Sequence, residues 1–467
     1  MVGGRFRQST VWPLIKGDGD VPPGLHEVRE FLATLAECDG ELVAALEVQR
    51  GPRGRDDYPV EAMWRLAAVQ LFLRKGHASD LLGELRRNAD FARLLGFKER
   101  LPGDFDLPSE SVFSRFQTKL RTDAYLARIK QLHENTVLLL RREDPSIGKH
   151  TATDTSDVRT HGHPMRHEGD PEKEKAATDP EASWSIKTKR RKGRDGTTIE
   201  ETKKIFGYKA ALNVDVKHPV VIDAMTVTGS TNDQHLAMPL LEGSLRILGP
   251  GVMETCAADK GFDSKDNVNN AYRDHGVAMI VPVRDVPENL ERLAPEDREV
   301  ALEPGGNVVF DRYSGEVACY ESLESGEKKQ ERRTMDYAGF EADRETHKFR
   351  CPLGGAASSQ CSAFKTCSAG PCGTQGRQVR VPMSIDIRRF APIYPRSKQW
   401  KRRYNGRSAV ERVNSYLKEV LRLEDHSLRG LKAISLRVLM ASITLNLRTL
   451  LVLRAARVAE HVLRAAG

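Results

Sequence analysis

The stretch "KRRYNGRSAVERVNSYLKEV", residues 401–420, places Tyr404, Arg407, Glu411 and Lys418 at offsets of three, seven and fourteen from the first. At roughly 100° per residue these offsets fall within about a 60° arc of one helix face. A phenol, a guanidinium, a carboxylate and an amine on one stripe suit a metal-ligating acid among phosphate contacts. Val410, Val413, Leu417 and Val420 lie about 120° away and are expected to face the core. A plainer reading stays open: Ser408 and Glu411 fit S-x-x-E, so Glu411 could simply close a capping box. "NG" at Asn405–Gly406 is a turn signal, so Tyr404 could precede the helix. Between Arg388 and Arg407 there are eight Lys or Arg and no acidic residue. Trp400 and Tyr404 are interleaved with Lys401, Arg402 and Arg403, and aromatics within a basic run can stack on exposed bases.

Two other segments offer carboxylates. In "CAADKGFDS", Asp259 ends a short apolar strand, where ligands collect in open α/β sheets; it could instead cap the next helix, although Asp263 or Ser264 could do that. In "KHTATDTSDVRT", Asp154 and Asp157 are three apart, so on a strand they face opposite sides and one of them can serve a shared site. His161 and His163 in "HGH" could suggest zinc, but no third ligand lies nearby.

The elements that must position these groups follow from periodicity. Residues 1–25 form a tail. Residues 26–145 read as a helical domain, with Met63, Leu66, Ala67 and Leu71 near helical period, and Ser109 or Ser111 as a helix start; DNA contact is one role for it. Residues 146–289 read as the first part of an α/β core. Its polar stretch, 151–207, reads largely as a long loop ending in the basic "KTKRRKGR", with Lys187, Lys189, Arg190, Arg191 and Lys192 as candidate DNA contacts. "YKAALNVDV" and "VVIDAMTVT" form a hairpin, followed by a helix over 232–248, the strand "ETCAAD", a helix over "SKDNVNNAYRDHG" and the strand "AMIVPV". A hairpin followed by alternating strands and helices implies a mixed sheet flanked by helices. Residues 290–384 read as an inserted, partly β subdomain, and 385–467 as the second part of the core with C-terminal helices. In the insertion, Cys351, Cys361, Cys367 and Cys372 could hold a structural Zn²⁺; unpaired thiols and an iron–sulfur cluster are the other readings.

The chain has 467 residues, 39% apolar and 30% charged, with net charge +8, which favours a polyanionic partner. The region "ISLRVLMASITLNLRTLLVL" is interrupted by Arg437 and Arg448, which suits a core helix, so no membrane partner is expected. Seven cysteines without an apparent export signal point to a reducing, cytoplasmic compartment, on the nucleoid when bound.

Tyr404, Arg407, Glu411 and Lys418 reproduce the Y-(2)-R-(3)-E-(6)-K signature of bacterial insertion-sequence DDE transposases. "AADKGFDS" resembles that family's second-aspartate segment, with Phe262 in place of Tyr, and "ATDTSDVRT" resembles the first. "TDPEASW", "FGYKAALNVD" and "GSTNDQHLAMPLL" resemble further family stretches, and the block over 58–121 resembles its N-terminal domain. The resemblance spans about 55–455. It implies an RNase H-like fold with Asp154, Asp259 and Glu411 as catalytic and metal-ligating carboxylates. The intervals are 105 (259 − 154) and 152 (411 − 259) residues, the second lengthened by the insertion. It implies two Mg²⁺ ions, for which Mn²⁺ could substitute, and contact of Tyr404, Arg407 and Lys418 with DNA. The implied activity is binding of terminal inverted repeats, cleavage at element ends and transfer of 3′-hydroxyls to target DNA by a homodimer. A DNA-binding relative without catalysis, or a nuclease of the same fold that does not join strands, are the rivals.

Overall fold

The computed structural model describes residues 25–48, 58–165, 176–192, 198–302, 307–320, 332–353 and 377–466. Three of the four clustered cysteines, Cys361, Cys367 and Cys372, lie outside these residues, and so does the zinc reading.

Seven helices and a small hairpin come first: α1 (His26–Ala36), α2 (Gly40–Val48), α3 (Val60–Phe72), α4 (Ala78–Arg87), α5 (Ala89–Leu95), β1 (Glu99–Leu101), β2 (Asp104–Phe105), α6 (Glu110–Lys119) and α7 (Asp123–Glu143). Local signals set their ends. Ser109 caps α6 by accepting from the Val112 N–H, and Asn88 caps α5 through Phe91. Trp64, fully buried on α3, donates to Asp39 at 2.7 Å.

The central sheet holds β3 (His150–Arg159), β4 (Ser183–Lys192), β5 (Thr198–Asp215), β6 (Val221–Thr228), β7 (Thr255–Ala258) and β8 (Ala278–Ile280). Its order is β4-β5-β3-β7-β8, with β6 also paired to β5. β3, β4 and β6 run antiparallel to β5, whereas β7 is parallel to both β3 and β8. Helices α8 (Ala237–Leu248) and α9 (Lys265–His275) connect the parallel strands. This mixed sheet flanked by helices is compatible with an RNase H-like core. Where β3 and β5 pair, a Cβ on Gly207 would meet the Val158 carbonyl at 2.3 Å, so glycine is needed there.

One expectation is corrected. The basic "KTKRRK" stretch is not loop: it lies on β4, paired antiparallel with the first half of β5. The register pairs Lys189 with Glu201 and Arg190 with Glu200 along the ladder. Charge density hid a two-stranded ribbon.

The insertion contains α10 (Pro295–Arg298) and two small antiparallel sheets, β9 (Glu299–Ala301) to β12 (Arg332–Thr334) through β10 (Val308–Asp311) and β11 (Val317–Tyr320), and β13 (Asp336–Glu341), β14 (Thr346–Arg350) and β15 (Gln378–Pro382). Phe349 from this region packs with Phe390 and Tyr394, which follow it in the chain, in a separate aromatic cluster. The chain then returns through α11 (Lys398–Asn405), α12 (Ser408–Ser415), a π turn over Tyr416–Val420, and α13 (Leu431–Ala466). By length and composition α13 could cross a membrane, yet most of its apolar window is buried within the protein. It packs on α7 and β6, and one apolar cluster joins the N-terminal helices, the sheet and α13. Burial of this surface is the main source of stability.

Candidate active site

Strand pairing brings the first two carboxylates together. In the parallel β3–β7 ladder, Thr153 pairs with Ala258, so Asp154 and Asp259 are the next residues along neighbouring strands. Asp154 accepts from its neighbour, the Thr155 N–H, at 2.8 Å. Burial first, and then the facing Asp259, push its carboxyl up to about 6, against the pull of Arg407 and Lys187. Asp259 caps the short 3₁₀ turn Lys260–Phe262 through a 2.7 Å bond from Gly261 N–H to Oδ1. The helix that follows, α9, is capped by Ser264 instead. Asp259 thus caps the 3₁₀ turn and not α9, as the alternative with Ser264 allowed.

Asp157 faces elsewhere. It is buried and paired with Lys187 at 2.9 Å, and although burial raises its pKa, Lys187 holds the carboxyl below its ordinary range. The two aspartates of one strand therefore have opposite environments: Asp154 looks toward Asp259, and Asp157 already has its cation.

Glu411 lies on α12, whose Val410 and Val413 are buried against β3 and β5. The capping-box reading fails. Ser408 Oγ donates to the Asn405 carbonyl at 3.1 Å, and Glu411 Oε1 accepts from Arg407 Nη2 at 2.5 Å. Arg407 Nη1 also stands 4.0 Å from Asp154 Oδ2. One guanidinium therefore spans the two carboxylates, over the ring of Tyr404 at 6.0 Å. Among the described residues, no three His, Cys, Asp or Glu side chains are grouped closely enough to hold a metal ion. Asp154 and Asp259 meet; Glu411 is turned to Arg407.

The four-residue stripe is less regular than a single helix would make it. Tyr404 lies in the last turn of α11 and so precedes α12, the helix that carries Glu411, as the turn signal at Asn405–Gly406 suggested. The joint at Gly406–Arg407 is overwound: Gly406, Arg407, Ala409 and Val410 N–H groups bond three residues back. Gly406 has a tight fit, since a Cβ there would lie 2.8 Å from Val216 Cγ1. Beyond Ser415 the π turn unwinds the helix. Val420 is consequently half-buried rather than in the core, and Leu421 takes the buried position. Lys418 turns to the Asp157 carbonyl at 2.5 Å and to Glu424 at 3.2 Å. Trp400 and Tyr404 stack on each other at 4.9 Å and 14°, with Lys401 and Arg402 exposed beside them and Arg403 half-buried.

Sequence reasoning gave no role to four polar residues, Lys209, Asp233, Asp179 and Glu181, that the structure engages in buried or helix-anchoring bonds. Buried Lys209, on β5, donates to the Thr231 carbonyl at 2.7 Å and to Asp233 at 2.8 Å. Asp233 Oδ2 would be 3.7 Å from a Cβ on Gly261, which puts a neutralised carboxylate beside the Asp259 turn. Buried Asp179 accepts from Thr160 Oγ1 (2.5 Å), Tyr208 Oη (2.8 Å) and Gly430 N (3.0 Å). With Glu181 on the Leu431 N–H at 2.9 Å, it anchors the start of α13, where negative charge suits the helix dipole. Asp179 and Glu181 lie in "TDPEASW", Lys209 in "FGYKAALNVD" and Asp233 in "GSTNDQHLAMPLL", and the resemblance of these segments to family stretches was the signal available.

A family model for the transposase DDE domain matches residues 145–447. The match covers the sheet, residues 290–384, α11, α12 and about the first half of α13; the helices from 26 to 143 lie outside it. No curated protein matches the chain.

Proposed function

The chain belongs to the transposase DDE-domain family, and we propose that it is the transposase of an insertion sequence, with Asp154, Asp259 and Glu411 as its catalytic carboxylates. In this reading it binds the terminal inverted repeats as a dimer, cuts at the element ends and passes the 3′-hydroxyls to target DNA. The observation that carries it is the placing of Asp154, within β3, beside Asp259, just past the end of the parallel strand β7, with Arg407 reaching from Asp154 to Glu411.

DDE transposases use divalent metals and act on DNA. Among the described residues the side chains are not gathered as a metal site, and what supports such ions is donor chemistry: Asp154 and Asp259 are hard oxygen donors, and burial first and then Asp259 raise the Asp154 carboxyl. Asp154 and Asp259 would hold the ions, and Glu411 would complete the set on leaving Arg407. Two Mg²⁺ ions bound there supply activation of the attacking hydroxyl and stabilisation of the leaving oxygen.

The protein's own groups do the rest. Asp259 is held in orientation by the Gly261 N–H, and Asp157 is kept out of the site by Lys187. Lys209 neutralises Asp233, so that carboxylate adds little repulsion beside Asp259. Arg407, once released from Glu411, presents a planar fork to a DNA phosphate. Trp400 and Tyr404 offer a stacking surface flanked by Lys401 and Arg402. Lys418 acts from behind, tying the π turn to the main chain of β3.

The test uses purified protein and linear DNA carrying the gene with its native flanks. Cleavage at defined ends that requires Mg²⁺ and is lost in Glu411→Gln is the expected result. Specific end binding without cleavage by the wild type would replace this reading with that of a DNA-binding relative, and cleavage without strand joining would replace it with that of a nuclease.

A further inference from the structure

A cavity of about 600 Å³ lies away from the carboxylates, between α3, α4 and α6 and the loop that leads into α13. Three arginines line it, Arg121, Arg429 and Arg437, against one carboxylate, Glu110. Arg437 is only 7% exposed and donates to the carbonyls of Gly76, Arg422, Leu423 and Asp425, so among the described residues no carboxylate hydrogen-bonds it. Burial lowers its pKa to about 10, which leaves it charged at neutral pH. Arg121 has a buried Nε without a hydrogen-bond partner among the described residues. His426 Nδ1 accepts from the Leu428 N–H at 3.1 Å, so in the neutral ring the hydrogen is on Nε2; that atom is buried and also lacks a partner. The start of α4 lines the same space at Ala78 and Ser79, and its N-cap, His77, makes no side-chain cap.

Buried donors without acceptors are costly. An uncapped helix start adds partial positive charge. Asp425, paired with His77 at 3.2 Å, supplies part of the counter-charge to this end of the cavity and to Arg437. The residues that carry the unpartnered donors still line one space with three arginines, and an anion with several acceptor oxygens suits that lining. The volume lies in the range of small-ligand sites. We propose that this cavity is a phosphate-binding site of nucleotide size, in which Arg121 and His426 Nε2 donate to the phosphate and Arg437 supplies charge. A nucleotide of a DNA strand and a free nucleotide share that chemistry. The carboxylate site plays no part, so the proposal stands or falls separately from the activity above.

The test is calorimetric titration of the full chain, at constant ionic strength, with inorganic phosphate, deoxyadenosine 5′-phosphate and a short single-stranded oligonucleotide. Wild type is compared with Arg121→Gln, Ser114→Glu and Asp154→Asn. Ser114 is exposed and lines the cavity, so its replacement brings in a repelling charge without disturbing the core. The expected result is saturable binding weakened about tenfold or more by both cavity variants, since charge-assisted bonds to an anion carry such differences, with Asp154→Asn unchanged. Binding of phosphate or the mononucleotide identifies the free-anion source; binding of the oligonucleotide alone identifies DNA. The proposal is overturned if no probe saturates, if both cavity variants bind as wild type does, or if Asp154→Asn abolishes binding equally.

Discussion

Replacing Asp154 with asparagine is expected to stabilise the metal-free protein, whereas the same change at Asp157, on the same strand, destabilises it. The Asp154 carboxyl is raised from 3.8 to about 6, first by burial and then by Asp259. The folded state therefore holds this proton more tightly than the unfolded chain does. The corresponding stability is complete below 3.8 and is lost as pH rises through about 6. A shift of this size corresponds to at most about 3 kcal/mol, and partial solvent access reduces that to roughly 1–3 kcal/mol. Asparagine keeps an acceptor for the Thr155 N–H and removes the charge. Asp157 has the opposite sign: its folded pKa is depressed, so its contribution is present above 3.8 and is lost as pH falls through the folded value. Asparagine there leaves Lys187 without its carboxylate and should cost about 1–3 kcal/mol.

The assay is urea unfolding in chelator at pH 4.5 and pH 8. Asp154→Asn should raise the midpoint at pH 8 and raise it less at pH 4.5, while Asp157→Asn lowers it at pH 8. Added Mg²⁺ or Mn²⁺ should then stabilise wild type and not Asp154→Asn, by mass action on the folded state. A destabilised Asp154→Asn at pH 8, or a shift of the same sign in both variants, would refute the assignment of Asp154 as the site carboxylate.

Other expectations follow from the same geometry. Glu411→Gln should abolish Mg²⁺-dependent cleavage yet change stability by no more than about 1 kcal/mol, because its pair with Arg407 is half open to solvent; circular-dichroism melts beside the cleavage assay check both parts. Arg407→Gln should weaken cleavage while tightening Mn²⁺ binding about three- to tenfold without DNA, since it removes the cation lying between Asp154 and Glu411; titration followed by electron paramagnetic resonance reads the affinity, and unchanged or weaker binding counts against the counter-ion role. Gly406→Ala should cost about 1–3 kcal/mol through its contact with Val216, and Val216→Ala should recover part of that loss in the double variant. Neutralising Lys189, Arg190, Arg191 and Lys192 together should flatten the salt dependence of DNA binding by about three to four ion equivalents; Lys187→Gln alone should change it less, because that lysine is already paired with Asp157.

Much of the core was legible because its signals are local. The alternation in "YKAALNVDV" and "VVIDAMTVT" gives β5 and β6, and Ser264 and Gly276 bracket α9 with an N-cap and a left-handed stop at φ 70°. Asp154 and Asp259 are grouped by the family resemblance of their segments, one within a strand and one at the end of a strand. The β4 ribbon was not legible, since its run of charges shows no apolar alternation and periodicity says nothing of a partner strand. Nor was Arg407's reach to Asp154, across 253 residues of chain (407 − 154).

The stripe of Tyr404, Arg407, Glu411 and Lys418 shows where helical spacing stops being an explanation. Its 60° arc assumes one unbroken α-helix, yet an overwound joint precedes Glu411 and a π turn follows it. These distortions act in opposite senses, tightening the turn before α12 and loosening the one after. The carboxylate is therefore placed by what α12 buries, Val410 and Val413 against β3 and β5, and not by continuity with Tyr404 or Lys418. The π turn then releases Lys418 from the stripe and lets it fasten to the Asp157 carbonyl, linking the helix that carries Glu411 to the strand that carries Asp154. The spacing of the four residues thus serves two ends: the first three surround the carboxylate site, and the fourth fixes the distance between its walls.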